Sequence, residues 1–169
     1  MNGGSRDEFD DVYRRHAPNA FRRARRLLGN EADAHEVVHD VFLTLLEHPE
    51  QYAGRSSMST FLYSAVTHAC LNQLRNRNNR LRLLRQSAAA LPALDHRSPR
   101  PERMLALRSA LERMPEPLAQ VAVYYYFDEL THEDISRIVG CSRRHVGDLL
   151  QRLTQWVDMH TQEQSTCKS

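Results

Sequence analysis

The segment Leu130–Leu153, LTHEDISRIVGCSRRHVGDLLQRL, carries Arg143, Arg144, Asp148, Gln151 and Arg152 at positions left over once its apolar residues are turned inward. Guanidinium and amide groups on one outer face can reach phosphates and base edges in a DNA major groove. Two short helices must position them. Thr131 predicts a cap for the first, with Asp134 three residues on, and Ile135, Ile138 and Val139 give it an apolar stripe. Gly140 suits the left-handed residue that ends a helix, and Cys141 is small enough for the turn. Ser142 predicts the cap of the second helix, whose inward face is Val146, Leu149, Leu150 and Leu153. That leaves Ser142, Arg143, Arg144 and His145 at the start of the second helix, the end that a helix-turn-helix points at bases. An ordinary helical hairpin with a solvated basic face fits the same pattern.

A second constellation is His35-Glu36-Val37-Val38-His39, a literal H-E-x-x-H. Two histidines one helical turn apart can share Zn²⁺ while the glutamate activates a bound water. Such a hydrolase also needs a third protein ligand from elsewhere and usually a sheet edge for its substrate, and neither is evident. The preferred reading is a polar stripe on a helix, with no metal. The zinc hydrolase remains the remote alternative, tested by bound zinc and by Glu36→Gln.

The net charge of +2 conceals a gradient. Residues 1–74 hold eight arginines against ten acids, and 104–169 hold seven basic residues against nine acids. Residues 75–103 hold eight arginines against only Asp95 and Glu102, so the excess positive charge lies in one central strip suited to an acidic polymer. Three distant cysteines, Cys70, Cys141 and Cys167, with no C-x-x-C pair, indicate neither a disulfide framework nor a zinc ribbon. No run approaches the ~20 apolar residues of a membrane span, and the N-terminal residues lack a signal core, which predicts a soluble, cytoplasmic protein.

The pattern reads all-α. Phe9, Val12, Tyr13 and His16 predict a short first helix that Pro18 interrupts, and Phe21, Ala24 and Leu28 continue the pattern to Gly29-Asn30. Asp33 with Glu36 predicts the cap of a helix carrying Val38, Val41, Phe42 and Leu45 inward, ended by His48-Pro49. Glu50 to Ser59 reads as a loop, and Ser59 as the cap of a helix with Leu62, Ala65, Val66 and Ala69 on its stripe. The division is a first domain over 1–77, a basic linker over 78–101 with a short helix around Leu81–Leu84, a second helical domain over 102–160 and a frayed tail over 161–169. In the second domain Leu107, Leu111 and Met114 precede a turn bracketed by Pro115 and Pro117. Leu118, Val121, Ala122 and Tyr125 then lead into the helix-turn-helix.

This order of parts resembles the bacterial sigma factors of the extracytoplasmic-function (ECF) group of the sigma-70 family. Asp33 to Leu46, DAHEVVHDVFLTLL, is similar to the family's D-A-E-D-L-V-Q-E-V-F-L polymerase-binding motif, with His35 and His39 in place of the usual Glu and Gln. SSMSTFLYSAVTHACLNQLRNR resembles the promoter-melting and −10-reading stretch. The segment from Ala110 to Leu153 resembles the −35-reading domain, with Arg144-His145-Val146-Gly147-Asp148-Leu149-Leu150 where the family commonly has Gly-Thr-Val-Lys-Ser-Arg-Leu. Leu149 thus stands where a phosphate-contacting arginine is frequent.

The resemblance implies a promoter-specificity subunit, not an enzyme, with two small domains (σ2 and σ4) on a flexible linker. Asp33, Glu36 and Asp40 would face core RNA polymerase, with Phe42 and Leu45 in support. The loop Gln51–Ser59, including Tyr52, Ser56 and Ser57, would take an unstacked −10 base, and Tyr52 or Phe61 would offer a stacking face. Phe61 reads equally as a core residue. Asn72, Arg75, Asn76 and Arg77 would lie along the −10 DNA, and Ser142, Arg143, Arg144, His145, Asp148, Gln151 and Arg152 along the −35 element. The linker arginines, Arg80, Arg82 and Arg85 among them, would lie near template-strand phosphates. No cofactor or small-molecule substrate is implied. The implied partners are core polymerase, promoter DNA and a separate anti-sigma factor, which when membrane-anchored would hold the chain at the inner membrane face. A stand-alone helix-turn-helix regulator is the alternative, marked by tight duplex binding without polymerase.

Overall fold

A computed structural model describes residues 3–52, 54, 56–86 and 102–166. Among them are seven α-helices and no strand: α1 (Gly3–Leu28), α2 (Glu31–Glu47), α3 (Met58–Gln86), α4 (Glu102–Arg113), α5 (Glu116–Ala122), α6 (His132–Val139) and α7 (Arg143–Thr166). The all-α expectation holds. The chain forms two compact units, Met1–Arg113 and Met114–Ser169. No helix among the described residues is long and apolar enough to cross a membrane.

In the first unit α1, α2 and α3 pack on one another and α4 packs on α3. The core is Ala24, Leu27 and Leu28 from α1, Ala34, Val37, Val38, Phe42 and Leu45 from α2, and Leu62, Val66, Leu71 and Leu74 from α3, joined by Leu111 of α4. Cys70 lies in the same core, and burial pushes its thiol up to about 12, so the inert protonated form persists at neutral pH.

Several local expectations change. Pro18 lies inside α1, not at a break. It deprives the Arg14 carbonyl of its helical donor, but both residues are exposed and water can take that role, while the flanking turns are held by packing on α2 and α3. The cap of α2 is Asn30, whose side chain accepts from the Ala32 and Asp33 amides at 2.8 and 3.4 Å, because Gly29 (φ +74°) turns the chain directly into it. The cap of α3 is Ser57, accepting from the Thr60 amide at 3.1 Å, which leaves Ser59 in the first turn. The helix α3 also continues to Gln86, so residues 78–86 of the expected linker are helical; the remainder, 87–101, lies outside the described residues.

The C-terminal end of α1 is closed by a side chain from α4. Arg108 donates from Nε to the Leu27 carbonyl at 2.8 Å and from Nη2 to the Arg26 carbonyl at 3.1 Å, supplying donors to orphan carbonyls of the last turn. Gly29 permits this: a Cβ there would overlap the Arg108 guanidinium. Four residues further along α4, Glu112 pairs with Arg77 of α3 at 2.5 Å, with both side chains substantially buried.

The second unit packs α5 and α6 against α7. Its core is Met114, Leu118, Val121, Val123, Tyr124, Ile135, Val146, Leu149 and Leu153. Pro115 is the residue before α5 and Pro117 lies in its first turn, so the two prolines start a helix. A wide π turn at Val123–Phe127, with the Asp128 amide bonded to the Val123 carbonyl at 3.0 Å, slips the register of the tyrosine run. Tyr124 is therefore the buried ring, and Tyr125, expected inward, is exposed. At the other end α7 remains helical to Thr166, through most of the expected tail; Cys167–Ser169 lie outside the described residues.

Candidate nucleic-acid and partner interfaces

The helix-turn-helix is built as its local chemistry dictates. Thr131 caps α6, with the Asp134 amide donating to its hydroxyl oxygen at 3.2 Å and that hydroxyl donating to the Asp134 carboxylate at 2.6 Å. This donation holds the Asp134 carboxyl below its ordinary range. The pairing thus supports the cap at neutral pH and is lost as pH falls through the depressed value. Gly140, at φ +76°, ends α6, and the Gly140 and Cys141 amides both close on the Ser136 carbonyl at 2.9 and 3.1 Å. Ser142 then caps α7 through the His145 amide at 3.1 Å.

From that cap, Val146, Leu149 and Leu153 point into the core, while Ser142, Arg143, Arg144, His145, Asp148, Gln151 and Arg152 are all exposed. The two arginines of the first turn differ. Arg143 is tied back to Glu133 of α6 at 3.4 Å, and Glu133 also lies 3.7 Å from Arg137. Arg144 makes no ion pair among the described residues. One guanidinium is positioned from behind and the other projects unrestrained from the outer face.

In the first unit, Tyr52, Ser56, Ser57 and Phe61 meet where the chain enters α3. The Tyr52 hydroxyl donates to the Ser56 carbonyl at 2.8 Å, and its ring meets Phe61 edge to face at 5.5 Å. Both rings are half-buried and the Ser57 hydroxyl serves as the cap, so each of these groups already has a structural role. Along α3, helical geometry puts Phe61, Asn72, Arg75 and Asn76 within a sector of about 100° and Arg77 about 160° from Phe61. Arg75 donates to Asn72 at 2.8 Å and Asn76 is exposed. Arg77 is not part of this face: it turns to Glu112.

On α2, Glu36 and Asp40 are exposed and Asp33 half-buried, along one stripe. Phe42 and Leu45 lie beneath it at 2% and 7% exposure, with Phe9 and Tyr13 packed edge-on against the Phe42 ring. They support the helix from inside and offer no contact surface. The exposed apolar groups are Leu43 and Leu46, at 40% and 47%, which the sequence reading missed. Their signal is VFLTLL, which holds more apolar residues than one helical face can bury. His35 and His39 are exposed, and the His35 ring lies 4.2 Å from that of Phe21. Among the described residues no group of three potential ligands could hold a metal ion there or elsewhere.

These two units have counterparts among known proteins. Sigma-70 region 2 matches residues 12–80 and Sigma-70, region 4 matches residues 104–153. The chain belongs to the sigma-70 family of sigma factors. Within it, the chain is one of the extracytoplasmic-function members. It is 26% identical to the ECF RNA polymerase sigma factor SigE of Mycolicibacterium smegmatis over 92% of this chain and 63% of that protein. It is 24% identical to the RNA polymerase sigma factor YlaC of Bacillus subtilis, over 87% of this chain and 88% of that one. A solved structure, the sigma factor RpoE in complex with the anti-sigma factor NepR from Bartonella quintana, shares the fold. Its TM-score is 0.51 at 16% identity, covering 88% of this chain and 92% of that one.

Proposed function

We propose that this chain is a promoter-specificity subunit that joins core RNA polymerase through α2 and reads −35 and −10 promoter elements through α7 and α3. The observation that carries this reading is the exposed stripe of Glu36, Asp40 and Leu43 on α2, in one chain with an exposed helix-turn-helix face. An acidic stripe over apolar contacts suits a basic partner helix, and reading DNA in two places suits a subunit that works only when assembled. The protein carries out no chemistry of its own in this reading and acts in the cytoplasm. A separate anti-sigma protein would cover these surfaces, as the pairing in the RpoE–NepR complex suggests. Transcription by purified core polymerase on a genomic library, with and without the chain, tests the proposal. Chain-dependent starts sharing two spaced elements support it, whereas tight duplex binding without polymerase and no new starts would favour a stand-alone regulator.

Asp40→Arg is expected to weaken binding to core polymerase by about tenfold or more, since it reverses a charge at a complementary interface. Asp40 is exposed, so the melting temperature should hold. Unchanged co-elution with core polymerase would remove α2 from the interface.

Arg144, projecting without an ion-pair partner, is assigned to a base edge, and Arg143, anchored by Glu133, to a phosphate. Arg144→Ala should reduce −35 recognition by ~1–3 kcal/mol and relax preference at one base pair, whereas Arg143→Ala should weaken all promoters alike. Promoter selection with the two single variants checks both, and the reverse pattern would exchange the roles.

A further inference from the structure

Between α1 and α3 the first unit holds an open cleft of about 360 Å³ whose rim carries His16, Arg22, Arg23 and Arg26. Its lining residues include no carboxylate. The arginines sit one helical turn apart on α1, so their side chains converge on one concavity. Arg23 is held in place from two sides: its Nε donates to the Thr67 hydroxyl oxygen at 2.7 Å, and its guanidinium carbon lies 3.7 Å from the centre of the Tyr63 ring. Arg22 donates to the Asn19 side-chain oxygen, which draws it along the same rim. Ser59, in the first turn of α3, adds a hydroxyl, and Ala20, Leu62 and Val66 form an apolar floor.

Converging guanidinium groups without an opposing acid raise the local positive potential and favour an anion. Their planar donor forks match phosphate oxygens two at a time, and a pre-oriented Arg23 loses little freedom on binding. The volume exceeds that of a bare ion and suits a phosphate bearing an organic group above the apolar floor. We propose that the α1–α3 cleft is a phosphate-binding site, taking either a free phosphate monoester or one phosphodiester of single-stranded DNA. The site does not depend on how α2 or α7 is used, and it is tested without polymerase.

The full chain, labelled with ¹⁵N, is titrated with inorganic phosphate, thymidine 5′-monophosphate, thymidine, a single-stranded thymidine oligomer and potassium chloride at matched ionic strength. The arginine Nε–H resonances are followed by NMR. Saturable shifts of Arg22, Arg23 and Arg26 are expected with the phosphate-bearing probes, and none with thymidine or chloride. Arg22→Gln combined with Arg26→Gln should weaken that binding by about tenfold or more at an unchanged melting temperature. Should the pair lower the melting temperature, Arg22→Gln alone, at an exposed position, must still weaken it. An oligomer that competes with the monophosphate for the same resonances identifies a phosphodiester, and shifts from the monophosphate alone identify a free ester. Equal response to chloride and phosphate, or full binding by the folded variants, would overturn the proposal.

Discussion

Leu149→Arg is expected to unfold the second unit rather than improve its grip on DNA. The substitution restores the residue type that the family resemblance expects there, yet Leu149 is only 4% exposed, among the core residues of α7 that include Val146 and Leu153. Burying an unpaired guanidinium adds a desolvation penalty to the loss of apolar packing, about 4 kcal/mol or more together. A unit this small has little stability in reserve. Urea denaturation followed by circular dichroism should show the second unit melting early while the first keeps its transition. Leu149→Met, which conserves volume, should cost less than about 1.5 kcal/mol. A folded Leu149→Arg protein with tighter promoter binding would mean that this position faces the groove.

Gly29→Ala should destabilise the first unit by about 2–4 kcal/mol, for two separable reasons. Alanine at φ +74° carries a left-handed penalty of about 1–2 kcal/mol. Its Cβ also displaces the Arg108 guanidinium, breaking the hydrogen bonds to the Leu27 and Arg26 carbonyls. A double-mutant cycle distinguishes them: with Arg108→Ala already present, adding Gly29→Ala should cost only the backbone part. Equal costs in both backgrounds would show that the close approach of Arg108 contributes nothing.

What could be read from the sequence is what local chemistry decides. Thr131, Gly140 and Ser142 act within three residues of themselves, so the helix-turn-helix and its outer face follow from spacing alone. The α2 stripe follows from helical period for the same reason. Features that depend on distant residues were hidden. Pro18 reads as a break because the packing that keeps α1 continuous comes from α2 and α3. Arg77 reads as a DNA contact because its partner, Glu112, is 35 positions away. Arg108 gives no sign in its neighbourhood that it caps α1. The π turn escapes a 3.6-residue template by construction, which is why Tyr125 exchanges places with Tyr124. Phe42 and Leu45 were assigned partly to a partner because a motif tells which helix makes contact, whereas burial tells which of its atoms remain available.

The Arg77–Glu112 pair bears on how the polypeptide can be dissected. Residues 104–113 are matched by region 4, yet they belong to the first compact unit, where Glu112 and Arg108 complete α3 and α1. A cut anywhere in 87–101, the span that invites one, would strip the amino-terminal fragment of both groups. It would leave a partly buried guanidinium without its carboxylate and the last carbonyls of α1 without their donor. A cut between Arg113 and Met114 keeps them together, so a fragment that behaves poorly in isolation should first be checked for where it was severed.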